Sequence, residues 1–459
     1  MAEPLTPNPA SWQRGSYLWR WLGRLSPWGT TSWTAAHLPL LVGGFWGLVL
    51  VLLPVAPNPL IGLLLLGGAV LWSLVRLVTP PQGPALMDLW GLVLIYGAMV
   101  ILAVVFSPVR PAAVDGGVKV LLYLVSFGLL TWTVGRPAWR SRLLLVYLLV
   151  SLGVAVYGLR QWFFGAETLA TWVDPESPLA NTSRVYSTLG NPNLLAGYLL
   201  PSVGWGLAAL LTWRTWPTRL LAVTLVGLNG ACLILTLSRG AWLGLAAMVG
   251  VMAILLGSRW WQQQPSGKAR WLLVLGVIVG LILLAGAAWQ VEPLRLRLLS
   301  IAAGRGDSSN NFRLNVWAAV WDMVRDFPWT GIGPGNDAFN RVYPFYQRPN
   351  FNALGTYSIP LEILVEAGVF GFLAFVSLTL SILRHAWQNL GAIEGPAGRV
   401  WQVATIGVLV GLMVHGLFDT VWYRPQVQLL WWFAVALAVI PANPRPAGSD
   451  AEVEPPSEC

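Results

Sequence analysis

Apolar stretches of about twenty residues recur from Leu38 to Ala442, mostly separated by short basic links. Twenty helical residues, at about 1.5 Å each, cross a hydrocarbon core ~30 Å thick. Open strands and loops cannot satisfy their backbone groups in lipid, so such runs restrict the chain to helices. The fold class that follows is all-α, a polytopic transmembrane bundle. We place spans at 38–54, 59–77, 89–107, 117–135, 143–164, 193–213, 220–237, 241–257, 271–289, 360–383, 401–420 and 426–442, twelve in all. Residues 220–257 would make one helix of about 57 Å, too long for a single crossing, so a turn is expected at Ser238-Arg239-Gly240. Charged residues make up only 10 % of the chain, against roughly a quarter in soluble domains.

One interruption breaks the rhythm. From Val291 to Ile359 there are 69 residues without a span, bearing Arg295, Arg297, Arg305, Arg313, Arg325, Arg341 and Arg348. The division is therefore a tail at 1–37, spans one to nine within 38–290, a large loop at 291–359, spans ten to twelve within 360–442 and a tail at 443–459. With the N-terminus inside, the inner short segments hold 14 basic residues and the opposing ones 6, Lys119 and Arg160 near helix ends included. That bias puts both termini in the cytoplasm and the large loop outside an inner (cytoplasmic) membrane. It also accounts for the net charge of +9, so no nucleic-acid partner is implied. Met1–Ala36 has three arginines and no early apolar core, unlike a cleavable signal peptide. Ser16–Leu25 fits a helix on the membrane surface or a plain tail, and the proline-rich, acidic tail from Asn443 is expected to be disordered. Two cysteines, Cys232 and Cys459, offer no disulfide framework or metal-thiolate cluster. No cofactor or metal is called for, and the partner that composition implies is the lipid bilayer.

Ionisable side chains in spans point to function by default. Here they gather at one depth. Arg184 and Asp174 lie in the 165–191 loop, Arg239 at the turn, and Glu362 and Glu366 one helical turn apart at the outer end of span ten. His415 and Asp419 stand four apart at the outer end of span eleven, followed by Arg424. A one-sided site under the large loop is favoured over a path through the midplane. Arginine forks suit phosphate and carboxylate, which makes Arg184, Arg239 and Arg313 the candidate anion ligands with Glu366 beside them.

Within the loop, Ser308, Ser309 or Asn310 is expected to cap a helix over 311–326 with Val316, Trp317, Val320, Trp321 and Val324 on its apolar face. Arg313 falls near the positive end of that helix, where a phosphate would be attracted by both. Gly331-Ile332-Gly333-Pro334-Gly335 suits a backbone anion nest or a plain turn.

Four stretches together resemble the O-antigen ligase and polymerase superfamily over roughly residues 180–390. They are Arg184 through Asn191-Pro192-Asn193 and Ala196; Leu237-Ser238-Arg239-Gly240; Arg313-x-x-x-Trp317 leading to Pro328-x-x-Gly331-Ile332-Gly333; and Glu366-x-Gly368-x-x-Gly371. The resemblance implies transfer of a glycan from an undecaprenyl-diphosphate carrier without a metal, with Arg239 and Arg313 on the diphosphate and a histidine after the loop helix as base. At that position this chain has Tyr357-Ser358 instead. A phenol with an ordinary pKa about 10 is a poor base near neutrality. His415 and Asp419 are the alternative catalytic candidates beside Tyr357. Tyr357–Glu362 and His415–Thr420 also resemble a cyanobacterial subgroup labelled as inorganic-carbon, or bicarbonate, transporters, which leaves bicarbonate as the alternative partner.

Overall fold

The computed structural model describes residues 33–78, 86–165, 184–263, 286, 289–301, 303–393 and 395–441. The chain is an all-α polytopic membrane bundle. Its helices are α1 (Trp33–Leu52), α2 (Asn58–Val78), α3 (Met87–Phe106), α4 (Arg110–Val134), α5 (Pro137–Phe164), α6 (Pro192–Thr212), α7 (Trp216–Leu235), α8 (Arg239–Gln263), α9 (Glu292–Ile301), α10 (Ser308–Asp326), α11 (Asn336–Val342), α12 (Ile359–Ala392), α13 (Pro396–Leu417) and α14 (Pro425–Val439). Among the described residues nine of these are long and apolar enough to span a bilayer, and His37–Leu52 and Pro425–Val439 are shorter apolar helices. Eleven of the twelve expected spans thus meet a helix. The ninth, at 271–289, lies almost wholly outside the described residues, as do Asp174, Ser16–Leu25 and the tail from Asn443.

Helix boundaries follow from local chemistry. Pro192 opens α6 behind Asn191, whose side-chain oxygen accepts the Asn193 and Leu194 backbone N–H groups at 2.8 and 3.1 Å. The turn between α7 and α8 falls at 236–238, overlapping the expected Ser238–Gly240 at Ser238, and its left-handed residue is Leu237 (φ 54°). Gly240 and Gly244 serve another purpose, shared with Gly407 and Gly411. A Cβ on Gly411 would meet the Gly244 carbonyl oxygen at 2.9 Å, and one on Gly244 would meet that of Gly411 at 2.6 Å. Small residues four apart on both helices let α8 and α13 approach backbone to backbone, the usual packing device in lipid. The head of α8 with Arg239 is thereby set beside the tail of α13 with His415.

α6 and α14 run through the middle, with nearly every side chain buried. The outer helices show Leu40, Leu63, Leu94 and Phe163 to the surroundings, as lipid-facing positions should. Tryptophan is more than an interfacial anchor here, since Trp46, Trp205 and Trp431 lie in the core. Lys119 is another departure: α4 begins at Arg110, so Lys119 stands well inside that helix, not at its end.

The large loop is a folded unit. Its core joins Val316, Ala319, Val320 and Met323 of α10 to Ile332, Phe339, Tyr343 and the start of α12. Trp321, expected on the apolar face, is 48 % exposed; Trp317 instead donates its indole N–H to the Thr356 carbonyl at 2.9 Å. The cap of α10 is Asp307, one residue before the expected set, accepting the Asn310 N–H at 2.9 Å.

Gly368 explains how the loop docks. Its φ of 64° breaks α12 and frees carbonyls within the helix. Ile332 N–H donates to Val365 O at 2.9 Å, Gly333 N–H to Glu366 O at 3.0 Å, and Val369 N–H to Pro328 O at 2.8 Å. The Gly331–Gly335 amides therefore hold the loop to α12, and the turn reading of that stretch, not the anion nest, describes it.

Candidate functional site

Three chain segments meet above the α8–α13 contact: the strand of chain before α6, the head of α8, and α9–α10 of the loop. Each contributes arginine. Arg239 opens α8, and its Nη1 donates to Asp307 Oδ1 at 2.9 Å, Ser300 Oγ at 2.8 Å and Ser300 O at 3.1 Å. Asp307 thus caps α10 and holds Arg239 with the same oxygen. Arg184 donates from Nε to the Thr236 carbonyl at 2.9 Å, at the open end of α7, and from Nη2 to Asn193 Oδ1 at 2.9 Å. The Asn193 amide N–H in turn donates to Asp419. Arg313, in the second turn of α10, places Nη2 3.5 Å from Asp419 Oδ2.

Arg297 of α9 completes the group. Burial, then Arg239 and Arg313, push its guanidinium down to about 10, against the pull of Asp307. Arg184 is pushed down to about 9, first by burial and then by Arg297, with Asp419 opposing and Arg313 and Arg239 adding. Arg184 feels the other three guanidiniums and Arg297 feels Arg239 and Arg313, so the four are neighbours in one electrostatic cluster. Four cations against Asp307 and Asp419 leave an excess of two positive charges (4 − 2) in a largely buried place. Arg239 Nη2, Arg297 Nε and Arg313 Nε are buried with no hydrogen-bond partner. Buried charge without partners is costly, and a doubly negative ligand would offset both deficits.

The catalytic candidates divide. Asp419 belongs to the cluster: 8 % exposed, it has its carboxyl raised above the usual range by burial, with Arg313 and Arg184 pulling the other way. Tyr357 is adjacent, feeling both Asp419 and Arg313, and its phenol is pushed up to about 12, chiefly by burial. It packs edge-on against Phe312 with ring centroids 5.6 Å apart. His415 is fully buried between α6 and α8, against Gly197, Gly240 and Gly244, and neither ring nitrogen has a partner. His415 and Asp419 are not hydrogen-bonded to each other, since neither His415 ring nitrogen has a partner and α13 ends at Leu417. Glu366 stands apart from the arginines, its carboxylate accepting the Gly335 N–H.

Sequence reasoning missed Arg297, Asp307 and Asn193 as members of the cluster. Asp307 could have been found as the acid just ahead of a Ser-Ser-Asn-Asn helix start. Arg297 carries no local signal beyond its charge.

Two comparisons bear on this arrangement. The family profile described as O-Antigen ligase matches residues 221–376. That segment holds Arg239, Arg297, Asp307, Arg313 and Tyr357, while Arg184, Asn193 and Asp419 lie outside it. A protein of Salmonella typhimurium (strain LT2), named O-antigen ligase, is 29 % identical over 208 residues, covering 44 % of this chain and 49 % of that protein. The chain spans about half the length of this curated relative. The chain is a multi-pass membrane protein whose central segment is similar to O-antigen ligases.

Proposed function

We propose that this protein binds a lipid diphosphate-linked glycan at the arginine cluster and transfers the glycan to an acceptor hydroxyl. The observation that carries the reading is the excess of two positive charges, with unpartnered guanidinium N–H groups, at one end of the bundle. A diphosphate diester carries two negative charges, and arginine forks suit its oxygens. The similarity of residues 221–376 to O-antigen ligases supports the same substrate class. The basic bias of the inner short segments supports an outward-facing site in a cytoplasmic membrane.

In the step we envisage, the acceptor oxygen attacks the anomeric carbon. A new carbon–oxygen bond forms as the bond from that carbon to the diphosphate oxygen breaks. The lipid diphosphate leaves with the electron pair, its growing charge met by Arg239, Arg313, Arg184 and Arg297. The acceptor proton goes to Asp419, whose raised pKa suits a base working near neutrality better than an ordinary carboxylate. Tyr357, whose phenol burial pushes up to about 12 and so keeps protonated near neutrality, serves as a hydrogen-bond donor.

The test is transfer in reconstituted vesicles, using an undecaprenyl-diphosphate-linked oligosaccharide and acceptor glycolipid, with bicarbonate flux read in the same preparation. Arg239→Ala should cut transfer about 10²–10³-fold, the usual loss of a charge-stabilising donor. Bicarbonate flux that depends on Arg239, without glycan transfer, would contradict the reading.

A further inference from the structure

A cavity lies on the other side of the α12 start, away from the arginines. It measures about 120 Å³ and sits between α3, α4, α12 and α14. One water needs about 10–15 Å³ on the same measure, so this space holds a group the size of several waters. Its walls combine two kinds of surface. Trp422, Trp431, Trp432 and Phe375 give flat aromatic faces, with Trp422 and Trp431 rings 4.6 Å apart. Glu362 and Glu366 bring carboxylates from α12, and Lys119 stands at the α4 side.

The polar atoms around this space are short of partners. Glu362 Oε2, Thr379 Oγ1, Trp422 Nε1 and Trp432 Nε1 are all buried and unbonded. Thr379, Trp422 and Trp432 are 5 %, 7 % and 4 % exposed. Buried polar groups in folded proteins are almost always paired, so four such groups around one cavity call for ordered water or a ligand that replaces it. Their types narrow its chemistry. A carboxylate accepts hydrogen bonds and an indole N–H only donates, while a threonine hydroxyl does both. A bare cation would leave the indoles unsatisfied, and an anion would be repelled by the glutamates. A hydroxylated ring both donates and accepts, and its C–H faces pack on aromatic walls.

We infer that the cavity is a subsite for a neutral sugar ring, with Glu362 accepting sugar hydroxyls and Trp432 and Trp422 forming its stacking wall and donors. The inference goes beyond the anion site and does not depend on it. The sites are neighbours, because Tyr423 of the cavity wall stands near enough to Tyr357 to act on its phenol.

The sugar could arrive free or as a glycolipid headgroup, and two arms distinguish these. The full-length protein in nanodiscs is titrated with methyl glycosides of glucose, galactose, mannose and N-acetylglucosamine, and separately prepared in nanodiscs containing glucosyl-diacylglycerol. The readout is the thermal unfolding midpoint, which a ligand bound to the folded state raises by mass action. At least one glycoside, or the glycolipid, should raise it saturably. Glu362→Ala and, separately, Trp432→Phe should weaken half-saturation by about tenfold, as loss of one buried hydrogen bond predicts. Inorganic pyrophosphate is titrated alongside and reports the arginine cluster, while the unliganded unfolding midpoint reports the integrity of each variant. A glycoside response lost in Trp432→Phe with that unliganded midpoint kept supports the subsite whatever the fate of the arginine reading. No response to any glycoside or to the glycolipid overturns it. So does a Glu362-dependent response to sodium or calcium chloride alone, or wild-type sugar affinity in both variants.

Discussion

Tyr357 holds φ at 54°, in the left-handed region where a side chain other than glycine is strained. Ser187 and Leu237, with φ of 53° and 54°, flank the same site, and such strain gathers where function fixes the backbone. Histidine, which the family resemblance expects at this position, tolerates that region better than most residues. Tyr357→His should therefore fold and keep or raise transfer, since a base titrating near ~6.5 is added. Tyr357→Phe should keep most transfer, whereas Asp419→Asn should lose about 10²–10⁴-fold; equal losses in both would remove Asp419 from its role. Asp419 also makes a pH prediction. Its folded pKa lies above the ordinary 3.8, so between those values the folded protein keeps a proton that the unfolded chain has released. Stability should fall as pH rises through that window, and transfer should rise as the base ionises. Both dependences should flatten in Asp419→Asn. At this scale the sequence was legible where charge stands alone among apolar residues, as at Arg239 and Asp419. It was illegible where a partner comes from far along the chain: Asp307 lies 68 residues from Arg239, and no local pattern pairs them.

Gly368 and the α8–α13 glycines show how elements place these residues. A Cβ on Gly368 would lie 2.2 Å from the Trp329 carbonyl oxygen, at a φ that L-residues resist. Gly368→Ala should cost about 1–3 kcal/mol and loosen the loop from α12. Protease cleavage between Tyr343 and Tyr357 should quicken in that variant, and unchanged cleavage would count against the docking. Gly411→Leu should push α8 from α13 and lower the unfolding midpoint by a similar energy, because overfilling a close contact costs about 1–3 kcal/mol. Spans were readable because lipid demands long apolar helices. The apolar face of α10 was readable at Val316, Val320 and Val324, which are buried, and at Trp317, which bonds Thr356; Trp321, of that expected set, turns outward. The break in α12 was hidden, because a glycine within an apolar run reads as ordinary helix until its φ is known.

For the molecule as a whole, the proposal needs the folded loop and the cluster to face the exterior. Gln347 lies on an exposed part of the loop, whereas native Cys232 is buried. An impermeant maleimide should label Gln347→Cys in intact cells; labelling only after permeabilisation would reverse the topology. The central claim is that four arginines in a largely buried place await a diphosphate, and direct titration tests it most plainly. A short-chain prenyl diphosphate and the matching monophosphate are titrated into the protein in nanodiscs. The diphosphate should bind at least about tenfold more tightly, as extra charge-assisted hydrogen bonds predict, and Arg239→Ala and Arg313→Ala should each erase that preference. Equal affinity for the two lipids, or an undiminished preference in both variants, would contradict the account.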